Sequence, residues 1–182
     1  LSSTQNDTTG TISMWVYQDA DSGDRKILWG AFTTSTGSQF LFLYCDTSSG
    51  KDYWGVWSYS ASTNWHMRTA VDSTDSYIGK WYHLTLVQDG TEATLYVDGT
   101  ARTVITWVIE TDKTTWMSAS TPDNMGIGAG VYNGGGIQES WNGNIANVLI
   151  FNRALSATEV ADIYNGTAFD YEKNLVAHWD MS

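Results

Sequence analysis

Apolar and β-branched residues alternate with polar ones in short runs along this chain, and turn-forming residues separate the runs. A period of two is the pattern of a half-buried strand. It predicts strands at Thr11–Gln18, Lys26–Thr33, Phe40–Cys45, Tyr53–Tyr59, Trp81–Gln88, Ala93–Val97, Met125–Ala129 and Ile145–Phe151. Between Trp81–Gln88 and Glu92–Val97 stands Asp89-Gly90, which predicts a hairpin because Asp-Gly supplies the positive φ values of a tight, right-twisted turn. A second pair, Asp98-Gly99, ends the returning strand.

One helix is predicted, from Ala157 to Tyr164. Ser156 is a good N-cap and Glu159 stands three residues on, which makes a capping box. Leu155 and Val160 occupy the two positions of a hydrophobic staple, and Asn165-Gly166 supplies a stop. The stretch Arg102–Asn124, with Trp107 and Trp116, carries the weakest pattern and is expected as a long loop, functional or packed over a sheet. No repeat or composition break divides the chain. Many short antiparallel strands and one short C-terminal helix predict one all-β domain over residues 1–182, a two-sheet sandwich or jelly roll.

Composition narrows the function. Of 182 residues, 9 are basic and 20 acidic, for a net charge of −11. That balance repels phosphate, so nucleic acid and anionic membranes are poor partners. Ten Trp and ten Tyr exclude intrinsic disorder. Only 16% of residues are charged, so charge-rich helical surfaces are not expected. Cys45 is the single cysteine and lies in an apolar run, so it reads as a buried thiol and no intrachain disulfide forms. No apolar run approaches the roughly 18 residues of a membrane span. The chain begins with Leu and shows no signal sequence, as expected of a processed chain or a piece of a longer one.

Several segments carry a family resemblance in order: Thr11-Ile-Ser-Met-Trp-Val, Trp81-Tyr-His-Leu-Thr-Leu-Val-Gln-Asp-Gly, Leu95-Tyr-Val-Asp-Gly and Met125-Gly-Ile-Gly, then Trp141-Asn-Gly-Asn-Ile-Ala-Asn-Val-Leu-Ile-Phe-Asn-Arg-Ala-Leu-Ser and Glu159. Collinear from about residue 8 to residue 166, the series resembles the laminin-G-like, concanavalin A-like jelly rolls of bacterial surface proteins and phage virions. The resemblance implies that fold and a role in binding glycans or proteins. It departs in two places. Relatives begin with an extra strand before the Thr-Ile-Ser segment, and many carry an acidic residue, which helps hold a structural calcium, where this chain has Ala146.

Glucanases share the resembled fold, and retaining glycosidases need two carboxyls on one strand face. The nearest approach to the glucanase pattern Glu-x-Asp-x-x-Glu is Glu110-Thr-Asp112-Lys-Thr-Thr115. Its last position is a threonine, which cannot protonate a leaving group, so Glu110 and Asp112 read as a solvated turn. There is no nucleophile elbow, phosphate-binding loop or His-Glu-x-x-His motif. Gly126, Gly128 and Gly130 read as tight sheet packing. With His66, His83 and His178 scattered, a zinc site is unsupported. No catalytic residue is assigned, and the chain is read as a non-enzyme, with glycoside hydrolysis the weakest alternative.

The aromatic excess remains. Flat C–H faces of pyranoses stack on Trp and Tyr, while hydroxyls seek Asp, Asn and backbone groups. Alternation puts Tyr53, Trp57 and Tyr59 on one face and Trp54 and Val56 on the other. It likewise separates Phe40, Phe42 and Tyr44 from Leu41, Leu43 and Cys45. One face is core and the other an aromatic outer surface, with both assignments open. Trp65, Trp116, Tyr132 and Trp141 lie among Asn, Gly and Ser, where exposure is expected. The carbohydrate-binding candidates are therefore Trp57, Tyr59, Trp65, Trp116, Tyr132 and Trp141. Calcium is the one candidate cofactor, with oxygen ligands from Asp46, Asp123, Asn124 and Asn142.

The primary expectation is a non-catalytic lectin-like module that binds glycans or a protein surface at an extracellular, cell-surface or virion location. The alternative is a structural decoration or assembly module with no small ligand. The tail Asn174–Asp180 resembles the opening strand absent at the N-terminus. Three readings are open: it completes its own sheet, which is favoured; it donates to another copy, giving self-association; or residues 174–182 begin a following repeat. Alternation there groups Leu175, Ala177 and Trp179 against Val176 and His178.

Overall fold

A computed structural model describes residues 8–20, 24–34, 39–48, 51–60, 64–70, 78–117, 122–132, 136–167, 170 and 172–181. The strands are β1 (Gly10–Gln18), β2 (Lys26–Phe32), β3 (Phe40–Ser48), β4 (Lys51–Tyr59), β5 (Asn64–Ala70), β6 (Trp81–Gln88), β7 (Ala93–Val97), β8 (Thr100–Ala101), β9 (Val104–Glu110), β10 (Asn124–Ile127), β11 (Gly130–Tyr132), β12 (Gly136–Gln138), β13 (Gly143–Phe151) and β14 (Leu175–Trp179), with one helix, α1 (Ala157–Asn165), before β14. The first sheet runs β14-β13-β1-β6-β7-β8 and the second β10-β2-β3-β4-β5-β9, while β11 and β12 form a separate hairpin. Every named strand pair is antiparallel. The expected two-sheet jelly-roll sandwich is what forms. Among the described residues no helix is long and apolar enough to cross a membrane.

The alternation in the sequence sets the core. Ile12, Met14 and Val16 of β1 and Leu84 and Leu86 of β6 meet Leu41 and Leu43 of β3, Trp54 and Val56 of β4, and Trp65 and Met67 of β5 in one buried cluster. A bulge in β2, where Ile27 pairs with Tyr44 but Trp29 with Leu43, sends both Leu28 and Trp29 into that cluster. Ile27 is left on the outer side.

On the outer face of the first sheet lies α1. Val87, Leu149 and Phe151 pack there with Leu155, Val160 and Ile163, so the staple pair closes on the sheet. The capping box at Ser156 and Glu159 is present, and Gly166 ends the helix in a left-handed conformation. Thr11 Oγ1 donates to Arg153 O at 2.9 Å and accepts from Leu155 N at 3.0 Å, fixing the entry of the helix.

Several details differ from the sequence pattern. Only Gly90 has positive φ in the first Asp-Gly pair, and the Asp89 carboxylate accepts from Thr91 N and Glu92 N. Gln88 therefore pairs with Ala93 across a four-residue connection. The tight turn with two positive φ values is Asp98-Gly99, between β7 and β8. Residues 104–110, expected as loop, form β9 at the edge of the second sheet beside β5. In β14 the register slips, Ile150 pairing with Ala177 but Phe151 with Leu175. Leu175 consequently packs under the helix while Ala177 and Trp179 pack on the inter-sheet core, and strict alternation fails there.

Candidate functional site

The outward residues of β3, β4 and β5 make the second sheet's outer face aromatic, which decides the assignment the sequence left open. Leu41, Leu43 and Cys45 are core, whereas Phe40, Phe42 and Tyr44 face out with Trp57 and Tyr132. Phe40 is the hub. Its ring centroid lies 4.7 Å from Phe42, 5.2 Å from Trp57 in an edge contact, and 5.6 Å from Tyr59. Tyr132 reaches this group from β11 and stacks on Phe32 at 5.5 Å. Trp57 stacks on His66 at 4.8 Å and donates its indole N–H to Asn64 Oδ1 at 3.0 Å.

Glycine makes the face flat. A Cβ on Gly55 would collide with the Tyr44 ring, and one on Gly130 would come within 2.7 Å of both Tyr132 and Ile27. The Tyr44 ring therefore lies across β4 over a missing side chain.

Two arginines hold these rings. Arg25 binds Glu139 with Nη2 at 2.6 Å from Oε1 and Nε at 3.0 Å from Oε2. Its guanidinium lies 5.2 Å from Phe42 and 5.3 Å from Trp57. Ile27 N donates to Glu139 O at 2.8 Å, so the segment after β12 is fastened to β2 beside the rings. Arg68 donates to Asp46 Oδ2 at 3.0 Å and to the Tyr44 hydroxyl at 3.2 Å, and lies 5.7 Å over Tyr53. The Tyr44 hydroxyl is also hydrogen-bonded to His66 Nε2. Burial, with the charges of Arg68 and Arg25, lowers the His66 pKa to about 4.

Of the six sequence candidates, Trp57, Tyr59 and Tyr132 meet on this face. Trp65 and Trp116 do not, for both are wholly buried between the sheets. Trp65 points inward beside Met67 and donates to Thr115 Oγ1 at 2.9 Å. Its neighbours Asn64 and His66 are polar because they face outward. Trp116 fills the space that the absent Gly10 side chain leaves. Trp141 packs at the rim of the inter-sheet core, away from Trp57. Arg25, Arg68 and Glu139 were not anticipated. Reading β5 as a strand would have set Arg68 beside His66, but Arg25 and Glu139 are 114 positions apart.

The calcium candidates do not converge. Asp46 is engaged by Arg68. Asp123 accepts from Thr34 N and Oγ1 and from Asn124 Nδ2. Asp46 neighbours the Lys26 end of β2, whereas Asn124 pairs with Phe32 at the other end, about 20 Å along the strand. Asn142 lies elsewhere, its carbonyl accepting from Asp19 N. No group of three or more His, Cys, Asp or Glu among the described residues is placed to hold a metal, so these four do not fit one calcium. In the glucanase-like segment, Asp112 accepts from Thr114 N and Oγ1, which lowers its pKa. Thr115 is occupied by Trp65. Glu110 is the last residue of β9 and pairs with Trp65, and the residues after it form a hydrogen-bonded turn.

Comparison with known proteins places this geometry. No curated protein sequence matches significantly. Among solved structures, the CBM40 of the Ruminococcus gnavus IT-sialidase bound to α2,3-sialyllactose superposes with a TM-score of 0.69 at 14% identity, over 90% of this chain and 86% of that one. A heptameric SAP-like pentraxin from Limulus polyphemus gives 0.62 at 20% identity, over 87% and 70%. Tailspike protein 2 of the Escherichia coli O157:H7 bacteriophage CAB120 gives 0.67 at 14% identity, over 96% of this chain and 24% of that one. At these identities the likeness is one of fold. A family model matches residues 2–161, and the chain belongs to the concanavalin A-like lectin/glucanase superfamily.

Proposed function

We propose that this chain is a non-catalytic carbohydrate-binding module of an extracellular, cell-surface or virion protein, and that it binds glycans on the outer face of its second sheet. The observation that carries this reading is the set of half-exposed rings Phe40, Trp57, Tyr59 and Tyr132 around buried Phe42 and Tyr44. Rings held by their neighbours lose little entropy on binding, and each stacked sugar face contributes about 0.5–1.5 kcal/mol by analogy with aromatic pairs. Arg68 and Asn64 stand beside the rings as hydrogen-bond donors for sugar hydroxyl or carboxylate oxygens. The sialyllactose bound by the R. gnavus CBM40 makes sialylated glycans the first probes.

The test is a glycan array that includes sialylated and neutral oligosaccharides, probed with the full chain and with Trp57→Ala and Tyr59→Ala. A retained glycan whose binding falls about tenfold in each variant, with the folded spectrum intact, is the expected result. Retention of no glycan at millimolar concentration, or binding unchanged in both variants, overturns the assignment.

A further inference from the structure

Helix α1 covers only one end of the first sheet's outer face. The last pair of β7 with β6 is Val97 with Leu84, and the last of β14 with β13 is Trp179 with Val148. Beyond those points β13, β1 and β6 continue alone. Asn144, Tyr17 and Trp81 form one row across them, and Ala146, Trp15 and His83 the next. Three strands at about 4.8 Å spacing span about 10 Å, and the rows lie about 7 Å apart along the strands. Alternation turns both rows outward, because Met14, Val16, Tyr82 and Ile145 pack on the inter-sheet core.

The rings here are open, whereas those of the second sheet pack on one another. Trp81 is 44% exposed, and its ring contact among the described residues is Tyr17, at 5.6 Å and 53°. Half-buried Trp15 stacks on Tyr164 at 5.7 Å, so the end of α1 walls the strip on one side. Among the described residues no protein group hydrogen-bonds to the Trp15 or Trp81 indole N–H, the Tyr17 hydroxyl or the Asn144 carboxamide. On the second sheet the corresponding groups are taken, Trp57 by Asn64 and Tyr44 by Arg68 and His66. Free donors and acceptors set among apolar rings suit a ligand that alternates C–H faces with hydroxyls.

Charge and size narrow that ligand. None of the six residues in the two rows carries charge at neutral pH, His83 being buried and neutral. Lys80 turns to the other side of β6, over the Tyr82 ring. Asp98 borders the strip, its carboxylate accepting from His83 N at 2.9 Å. An anionic ligand therefore finds no countercharge, on a chain of net charge −11. Even doubled for side-chain spread, the strip is a small part of the roughly 800 Å² that each side of a stable protein interface buries. It matches one or two pyranose rings.

We propose that this strip is a second carbohydrate site, on the sheet opposite the aromatic face, and that it takes a neutral hexopyranose disaccharide. One sugar ring lies against Trp81 and Tyr17, and the other reaches along β1 toward Trp15. Their hydroxyls bond to the indole N–H groups, the Tyr17 hydroxyl and the Asn144 carboxamide. The site does not depend on the aromatic face binding a glycan. With both occupied, the domain bridges two glycans from opposite sides.

The experiment titrates the ¹⁵N-labelled full chain with maltose, cellobiose, lactose and 3′-sialyllactose and follows the indole and carboxamide N–H resonances. At least one neutral disaccharide is expected to shift Trp81, Trp15 and Asn144 together, saturably, with a millimolar Kd. The sialyllactose, which adds a carboxylate to lactose, should bind there no more tightly than lactose. Trp81→Ala removes an exposed ring, so the fold stays intact, and binding read at Trp15 and Asn144 should weaken about tenfold. Trp57→Ala should leave the same shifts unchanged, which separates this site from the aromatic face. The proposal is overturned if none of the three neutral disaccharides shifts these signals at tens of millimolar. It is overturned equally if Trp81→Ala binds like the parent chain, or if Trp57→Ala abolishes the shifts. A preference for 3′-sialyllactose over lactose overturns the neutral-ligand assignment. Trp81 shifts that depend on protein concentration without sugar, with a dimer in sedimentation, assign the strip to a second copy instead.

Discussion

Gly55→Ala tests whether the aromatic face is built around an absent side chain. The new Cβ would enter the space of the Tyr44 ring, and that ring is wholly buried. Tyr44 cannot swing away cheaply, because its hydroxyl is bonded to Arg68 and His66. Overpacking of this kind costs about 1–3 kcal/mol. If the ring yields instead, the bond to charged Arg68 is lost at about 1.5–3 kcal/mol, along with a neutral one at about 1 kcal/mol. Against this stands a gain of about 0.5–1 kcal/mol from replacing glycine in a strand. The first route gives a net loss of about 0–2.5 kcal/mol and the second about 1.5–3.5 kcal/mol, which for a domain of this size lowers Tm by up to roughly 14 °C.

Calorimetry and urea unfolding of Gly55→Ala, Tyr44→Leu and the double variant form the cycle. Tyr44→Leu is itself destabilising, since it leaves Arg68 and His66 without the hydroxyl. In that background, however, Gly55→Ala should be neutral or slightly stabilising, because nothing remains for the Cβ to strike. The coupling energy should therefore be about 1–4 kcal/mol. An equal cost of Gly55→Ala in both backgrounds would refute the argument.

Two further predictions follow from the burial map. Trp65→Ala should destabilise by about 3–5 kcal/mol, because Trp65 is wholly buried and its N–H bonds to Thr115; urea unfolding yielding a loss below that of Trp57→Ala would contradict its core position. His66 and His83 both have pKa values lowered to about 4 from 6.5, so the unfolded chain takes up protons first as pH falls. Their stability contribution is complete above about pH 6.5 and is lost down to about pH 4, with a slope of roughly 2 kcal/mol per pH unit near pH 5. Urea midpoints that stay flat from pH 7 to pH 4.5 would show that neither imidazole is held neutral.

The fold was legible where one strand face is polar or one cap is unambiguous. Trp81–Gln88 and Ala93–Val97 coincide with β6 and β7, and Ser156 and Glu159 place α1 at Ala157. β5 was missed because its outward residues, Asn64, His66 and Arg68, read as loop once the inward Trp65, Met67 and Thr69 are not counted separately. The same oversight put Trp65 among the exposed candidates. In β3 and β4 both faces are apolar, so local pattern contains no information on which is core. Only the opposing sheet decides, and it sits on the Leu41 and Trp54 side. The Arg25–Glu139 clamp joins residues 114 apart, a pairing made by the chain's path and invisible to any short window.

The two sheets treat their outer faces differently, and that contrast bears on what the aromatic face can recognise. On the first sheet the apolar row of Val87, Leu149 and Phe151 is sealed by the buried side of α1. On the second, the polar groups among the rings satisfy one another: Arg68 with Asp46 and Tyr44, Tyr44 with His66, Arg25 with Glu139. Among the described residues each guanidinium has one carboxylate partner, so these four charges cancel within a chain of net charge −11. Long-range attraction therefore contributes little there, and selectivity rests on contact with rings whose positions are already fixed. An acidic sugar that shares Arg68 with Asp46 gains a hydrogen bond that salt should weaken modestly, whereas a neutral sugar stacked on Trp57 and Tyr59 should bind almost independently of ionic strength.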